Sequence, residues 1–224
     1  MHTPETTPRA SVFYDYKIHP FTAPPELSGQ RKTHPVVFVG AGPIGLACAI
    51  DLARHGVPSV ILESELQVSE GSRAIVFTRR SMEILQQVGV ADRISAAGLP
   101  WRFGNSFFRG QRVFRLEAPY DDDDRYWPMI NLQQQYLEEY LVDRAAQEPL
   151  IDLRWGHKVT AIARNDDAGA ALRVDTPAGE YEIDAEWVVA TDGARSALRG
   201  PNPSTYDRDH PGIGSAGSPG GVSN

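Results

Sequence analysis

One cysteine among 224 residues leaves no partner for an internal disulfide, and no Cys/His spacing resembles a zinc site. Apolar runs all fall short of the length that crosses a bilayer. The opening Met1-His2-Thr3-Pro4-Glu5 lacks the basic segment and apolar stretch of a secretory signal, so a reducing cytoplasm is the expected setting. Excess positive charge is missing too. Lys and Arg number 22 against 29 Asp and Glu, a net charge of −7, which argues against a general nucleic-acid binder, since that would need a basic face. What remains is ordinary for a soluble globular chain: 41% hydrophobic and 23% charged. Cys48, among alanines, is expected to pack as a small apolar residue.

The richest segment runs from Pro35 to Ala47. An apolar run, Val36-Val37-Phe38-Val39, enters Gly40-Ala41-Gly42-Pro43-Ile44-Gly45 and continues into an Ala/Ile/Leu-rich helix ending near Arg54. A strand, glycine turn and helix start in that order present backbone N–H groups to a pyrophosphate. Gly40 suits the tight turn, Gly42 a close approach of backbone to phosphate, and Gly45 close helix–strand packing. A second apolar strand, Ser59-Val60-Ile61-Leu62, ends in Glu63, 63 − 40 = 23 positions after the first glycine. That is near the spacing of about 20 at which a carboxylate accepts from an adenosine ribose. An acid there also disfavours a ribose bearing a 2′-phosphate.

Residues 1–33 read as an extended arm rich in Pro, Thr and charge, with aromatics at Phe13, Tyr14 and Tyr16 to lay on the body. A helix is expected over Thr78–Val88, its apolar face made by Met82, Ile84, Leu85 and Val88. Residues 99–118 alternate as short antiparallel strands, Asp121–Asp124 read as a solvated loop, and a helix is expected over Leu132–Gln147. From Ile151 the pattern turns to β. Segments 151–155, 157–163, 171–175 and 181–183 are joined by turn signals into a meander, followed by a separate buried strand at 186–190. The whole describes an α/β chain: a Rossmann-like doubly wound sheet with a β-meander and a partial antiparallel sheet, the build of flavin-binding variants of the dinucleotide fold. Residues 200–224 hold little that is apolar and are expected to be disordered.

Four features, in order, resemble the FAD-dependent aromatic-ring monooxygenases related to para-hydroxybenzoate hydroxylase, closest to the branch of 3-hydroxyphenylpropionate hydroxylases. They are the glycine segment with Glu63; Gly71-Ser72-Arg73-Ala74-Ile75; the run Asn131-Leu132-Gln133-Gln134-Gln135-Tyr136-Leu137-Glu138; and Trp187 to Arg199, which contains Thr191-Asp192-Gly193. The resemblance covers about residues 34–199, which it implies form the FAD-binding domain, with partial substrate-domain strands near 99–118. It implies that Gly40, Ala41, Gly42, Pro43, Ile44, Gly45 and Glu63 hold FAD. It places Arg73 over the pyrophosphate, where a guanidinium fork suits phosphate oxygens, and leaves Arg79 and Arg80 as helix-surface charges. Its register selects Gln134 for the ribityl chain or phosphates, with Gln133 and Gln135 as alternatives. Val159 is implied at the adenine by its backbone. Asp192 and Gly193 are implied beside the flavin, with the following turn toward NADH or NADPH. A glycine suits the turn whatever the ligand.

The implied reaction joins a small aromatic substrate and dioxygen, with NAD(P)H as reductant and FAD carrying the hard chemistry. It assigns no catalytic His, Ser or Cys, and intact relatives are implied as possible homodimers. The family's later Gly-Asp motif and covering sheet are not found after Asp192-Gly193. The chain is therefore expected to be an N-terminal part lacking turnover by itself. Two other readings compete: a non-catalytic flavin or dinucleotide-binding module, and another FAD-dependent oxidoreductase with the same front half. A halogenase would carry Trp-x-Trp-x-x-Pro, which this sequence lacks.

Overall fold

Alternation along the first strand decides the architecture. In β1 (Thr33–Val39), Val36 and Phe38 face one way while Val37 and Val39 face the other, and all four are buried. A strand buried on both faces belongs at the centre of a covered parallel sheet. The computed structural model describes residues 1–70, 75–167, 169–193, 196 and 198. After β1 come α1 (Pro43–Arg54), β2 (Ser59–Glu63), β3 (Val76–Thr78), α2 (Arg79–Gln87), α3 (Ala91–Ala97), β4 (Leu99–Trp101), β5 (Phe103–Phe108) and β6 (Gln111–Glu117). Then follow β7 (Met129–Asn131), α4 (Gln134–Ala145), β8 (Ile151–Trp155), β9 (Lys158–Asp166), β10 (Gly169–Thr176) and β11 (Gly179–Ala190).

Six strands form the main sheet in the order β8-β2-β1-β11-β10-β9. The pairs β8–β2, β2–β1 and β1–β11 are parallel, whereas β11–β10 and β10–β9 are antiparallel. One face packs on α1 and α4 through Phe38, Leu46, Ile50, Ile61 and Leu141. On the opposite face Val37, Val39, Val60 and Leu62 meet Leu172, Val174, Tyr181 and Ile183 of the meander. A three-stranded antiparallel sheet (β3-β7-β4) and the β5–β6 hairpin complete the described part.

Several local expectations are corrected. The strands expected at 181–183 and 186–190 are one twelve-residue strand, β11. No glycine or proline interrupts Asp184-Ala185, so the extended backbone continues. It changes partner on the way: Gly179–Ala185 pairs with β10, and Asp184–Ala190 with β1. The strand at 151–155 is not part of the meander but the parallel edge strand beside β2. Cys48 is exposed, because helical spacing turns Leu46, Ala49, Ile50 and Ala53 inward and position 48 outward. Ile84 is also exposed; Met82 and Leu85 carry the buried face of α2. Arg79 is more than a surface charge: it lies 2.6 Å from the Asp124 carboxylate and donates to the carbonyls of Tyr126 and Pro119, pinning the acidic loop.

The arm is anchored on the body through Tyr14, Tyr16 and Glu26, whereas Phe13, expected to join these aromatics, is 78% exposed because the adjacent positions 14 and 16 turn inward. Tyr14 and Tyr16 are buried in edge contact with each other, and Tyr14 also meets Tyr136 edge-on. Tyr14 and Lys17 both donate to Glu139. Further on, His19 stacks flat on Trp155 at 4.2 Å, and Glu26 binds Arg154 and His34 in a buried polar knot. The residues 200–224 expected to be disordered lie outside the described residues.

Candidate functional site

At the C-terminal edge of the parallel strands, just past the ends of β1, β2 and β11, lies a cleft of about 560 Å³. That is the size range of cofactor sites and the usual position for one in an open α/β sheet. The glycine corner forms its floor. Gly40 sits at φ +101, and a Cβ there would lie 2.8 Å from the Thr191 carbonyl oxygen. A Cβ on Gly45 would lie 2.3 Å from the Gly40 carbonyl oxygen. Both positions are closed to larger residues by the protein itself.

Gly42 is different. Its backbone is ordinary extended chain (φ −71, ψ 176), and a Cβ there would meet no atom of the described residues within 4 Å. Packing among the described residues therefore does not require glycine at 42, and the open space beside it faces the cleft. Gly42 caps α1 without a side chain, and Pro43 has no N–H. The first-turn amides of Ile44 and Gly45 have no carbonyl four residues back within the helix. Such amides, at the positive end of a helix dipole, suit a pyrophosphate.

Glu63, at the end of β2, reaches back to this turn. Its carboxylate accepts from the amide N–H of Ala41 (2.8 Å) and Glu65 (3.0 Å) and from the Ser64 hydroxyl (3.2 Å). Burial pushes its pKa up, and these donors only partly oppose the shift. A carboxylate offers about four acceptor sites, so capacity remains for a ligand hydroxyl.

Of the three candidate glutamines, Gln134 lines the cleft, at the first turn of α4. Its amide donates to Glu138 at 2.6 Å. Gln135 is buried and donates instead to Gln133. Val159 of β9, Asp192 and Gly193 also line the cleft, with Gly193 at φ +75. The structure thus gathers Gly40 to Ile44, Glu63, Gln134, Val159, Asp192 and Gly193 around one cavity, with Gly45 packed just beneath. Arg73 lies outside the described residues.

Other wall residues escaped the sequence reading. Thr191 amide N–H donates to the Val39 carbonyl, and its hydroxyl proton is shared between the carbonyls of Val39 (2.9 Å) and Gly40 (3.0 Å). Glu138, almost fully buried, also accepts from the Ser69 amide at 2.6 Å and so ties the loop after β2 to α4. The signal for Thr191 was its place before Asp192-Gly193. Arg9, Gln67, Trp155, His157 and Lys158 also line the cleft. Nothing in their local sequence marks them, because they arrive through tertiary contacts.

A doubly wound sheet with a glycine corner, an acid after the second strand and an attached meander defines a dinucleotide-binding flavoprotein domain. The FAD binding domain family matches residues 33–211, and the chain belongs to it. It is 30% identical over 178 residues to the para-nitrophenol 4-monooxygenase of Pseudomonas sp. (strain WBC-3), covering 77% of this chain and 43% of that protein. Over 174 residues it is 35% identical to 3-(3-hydroxy-phenyl)propionate/3-hydroxycinnamic acid hydroxylase 2 of Burkholderia vietnamiensis (strain G4), covering 76% and 31%. Among solved structures, p-nitrophenol 4-monooxygenase from Pseudomonas putida DLL-E4 superposes with a TM-score of 0.71 at 33% identity, covering 76% of this chain and 44% of that one. Aklavinone-11 hydroxylase in ternary complex with FAD and aklavinone gives 0.63 at 30% identity, covering 76% and 35%. The matches cover between 31% and 44% of the length of these relatives.

Proposed function

We propose that this chain is the FAD-binding part of an NAD(P)H-dependent monooxygenase that hydroxylates an aromatic, phenolic substrate with dioxygen. The observation that carries the reading is the open space at Gly42, beside the first turn of α1 and opposite Glu63. It is a backbone cradle that the fold keeps empty without needing glycine for itself.

In this reading Gly40, Ala41, Gly42, Pro43, Ile44 and Gly45 wrap the pyrophosphate, and Glu63 accepts from the adenosine ribose. The Val159 backbone meets the adenine, Gln134 reaches the ribityl chain or phosphates, and Asp192 with Gly193 borders the flavin. Arg73 is proposed at the pyrophosphate. The chemistry supplied by bound FAD is hydride acceptance from a nicotinamide and activation of dioxygen; the protein's task is to position it and keep water out. Thr191 contributes indirectly by locking the glycine turn to the end of β11.

Titration of the purified, folded chain with FAD, followed by flavin fluorescence, is expected to show one equivalent bound. NADH and NADPH oxidation is then measured with and without a phenolic propionate. Stimulated oxidation supports hydroxylation by this chain. FAD binding without stimulation supports the binding-module reading. A folded chain with no affinity for FAD overturns both.

A further inference from the structure

The cleft has an unfavourable charge for a pyrophosphate. Among its described lining residues Glu63, Glu65, Glu70, Glu138 and Asp192 are acidic, whereas Arg9 and Lys158 are basic. Arg9 belongs to the N-terminal arm, far ahead of the glycine corner in sequence. It reaches the cleft because residues 1–9 are laid along the loop after Glu63. The Met1 ammonium sits 3.1 Å from the Asp175 carboxylate of β10, and His2 Nε2 donates to the Ser64 carbonyl at 2.7 Å. Gln67, only 2% exposed, is held on both sides by the arm: its amide donates to the Thr7 carbonyl (3.2 Å), and its Oε1 accepts from the Arg9 amide (3.0 Å).

The Arg9 guanidinium closes the arrangement. Nη1 donates to the Val68 carbonyl at 2.8 Å, Nη2 lies 3.5 Å from the Glu65 carboxylate and Nε 3.4 Å from Glu5. The Arg9 side chain is 17% exposed and that of Glu65 41%, so the guanidinium is held against the body while the carboxylate it pairs with still meets water. Arg9 thus offsets the carboxylate of Glu65 while fixing the loop that follows Glu63 and bears Ser64 and Glu65.

We propose that residues 1–9 form the outer wall of the adenosine end of the FAD site, with Arg9 a positioning residue that sets affinity by neutralising Glu65 and pinning the 64–68 loop. This rests on the FAD reading above. The ligand class it concerns is any adenosine diphosphate ester, and the flavin end lies outside its reach.

The test uses the full chain and measures dissociation constants for FAD, for ADP (adenosine end alone) and for riboflavin (flavin end alone). Arg9→Ala is expected to weaken FAD and ADP alike by about tenfold, equivalent to about 1.4 kcal/mol, with riboflavin unchanged. Adding Glu65→Gln to Arg9→Ala is expected to restore most of the loss. Glu65→Gln alone, which leaves the arm's other contacts in place, is expected to tighten FAD binding about threefold. It keeps the proposal testable if Arg9→Ala does not fold. Unchanged FAD affinity in Arg9→Ala, no rescue by the double variant, or an unaltered Glu65→Gln overturns the proposal and leaves the FAD reading standing. Wild-type protein that binds neither FAD nor ADP overturns both.

Discussion

Gly42 and Gly45 are three positions apart in one motif, yet they answer to different demands. A methyl group on Gly45 would collide with the Gly40 carbonyl and the Thr191 hydroxyl, so Gly45→Ala is expected to lower stability. Overpacking of this kind costs about 1–3 kcal/mol, read as a shifted denaturant midpoint. Gly42→Ala meets no atom of the described residues, so it is expected to unfold with the wild type, within about 0.5 kcal/mol. It should still weaken FAD binding at least about tenfold, a loss of about 1.4 kcal/mol. Equal FAD affinity in Gly42→Ala and wild type would contradict a phosphate beside that backbone.

Glu63 supplies a pH test at the same scale. Its raised pKa means that the folded chain holds this proton more tightly than the unfolded chain does. The associated stability is present in acid and is lost as pH rises through the folded value. A ribose hydroxyl donates to the ionised form, so FAD affinity should rise with pH across that same interval. Glu63→Gln is expected to bind FAD about tenfold more weakly, about 1.4 kcal/mol, and to flatten the pH dependence in calorimetric titrations.

Among the elements, β1, α1, β2 and the glycine turn were legible because their signals are local: apolar runs, helical spacing and turn residues within a few positions. The continuity of β11 was not. Tyr181 and Trp187 read as two strands because the side-chain pattern changes where the partner changes, and a partner is a tertiary fact. Arg9 was hidden for the same reason. His157, isolated in sequence, is a buried link between elements: it shares a 2.8 Å hydrogen bond with the Tyr181 hydroxyl and meets the Thr22 carbonyl at 3.3 Å. Burial, helped by the nearby positive charge of Arg154, lowers its pKa to about 4, against weaker opposition from Thr22, Asp152 and Glu26. A histidine kept neutral in the fold costs stability as the unfolded chain takes up the proton. The chain should therefore lose stability as pH falls from 6.5 toward about 4. His157→Gln should flatten that limb in denaturant midpoints measured across the interval; an unchanged slope would rule His157 out as its source.

Viewed whole, the molecule is unevenly covered. Both faces of the central strands are buried, whereas the β5–β6 hairpin exposes Phe107, Phe108, Val113 and Phe114. Exposed apolar groups on a two-stranded ribbon invite association. Replacing Phe108 and Phe114 with threonine is expected to reduce self-association in light scattering, with stability changed by no more than about 0.5 kcal/mol. Undiminished scattering would exonerate the hairpin.

β11 has a mechanical consequence at this same scale. One unbroken rib carries the meander at its start and the Thr191 clasp on the glycine corner just past its end. The described part thus offers no natural hinge between the region that holds Val159 and the corner that holds Gly40. Amide hydrogen exchange should report Val37–Val39 and Leu172–Val174 opening together, as one cooperative block.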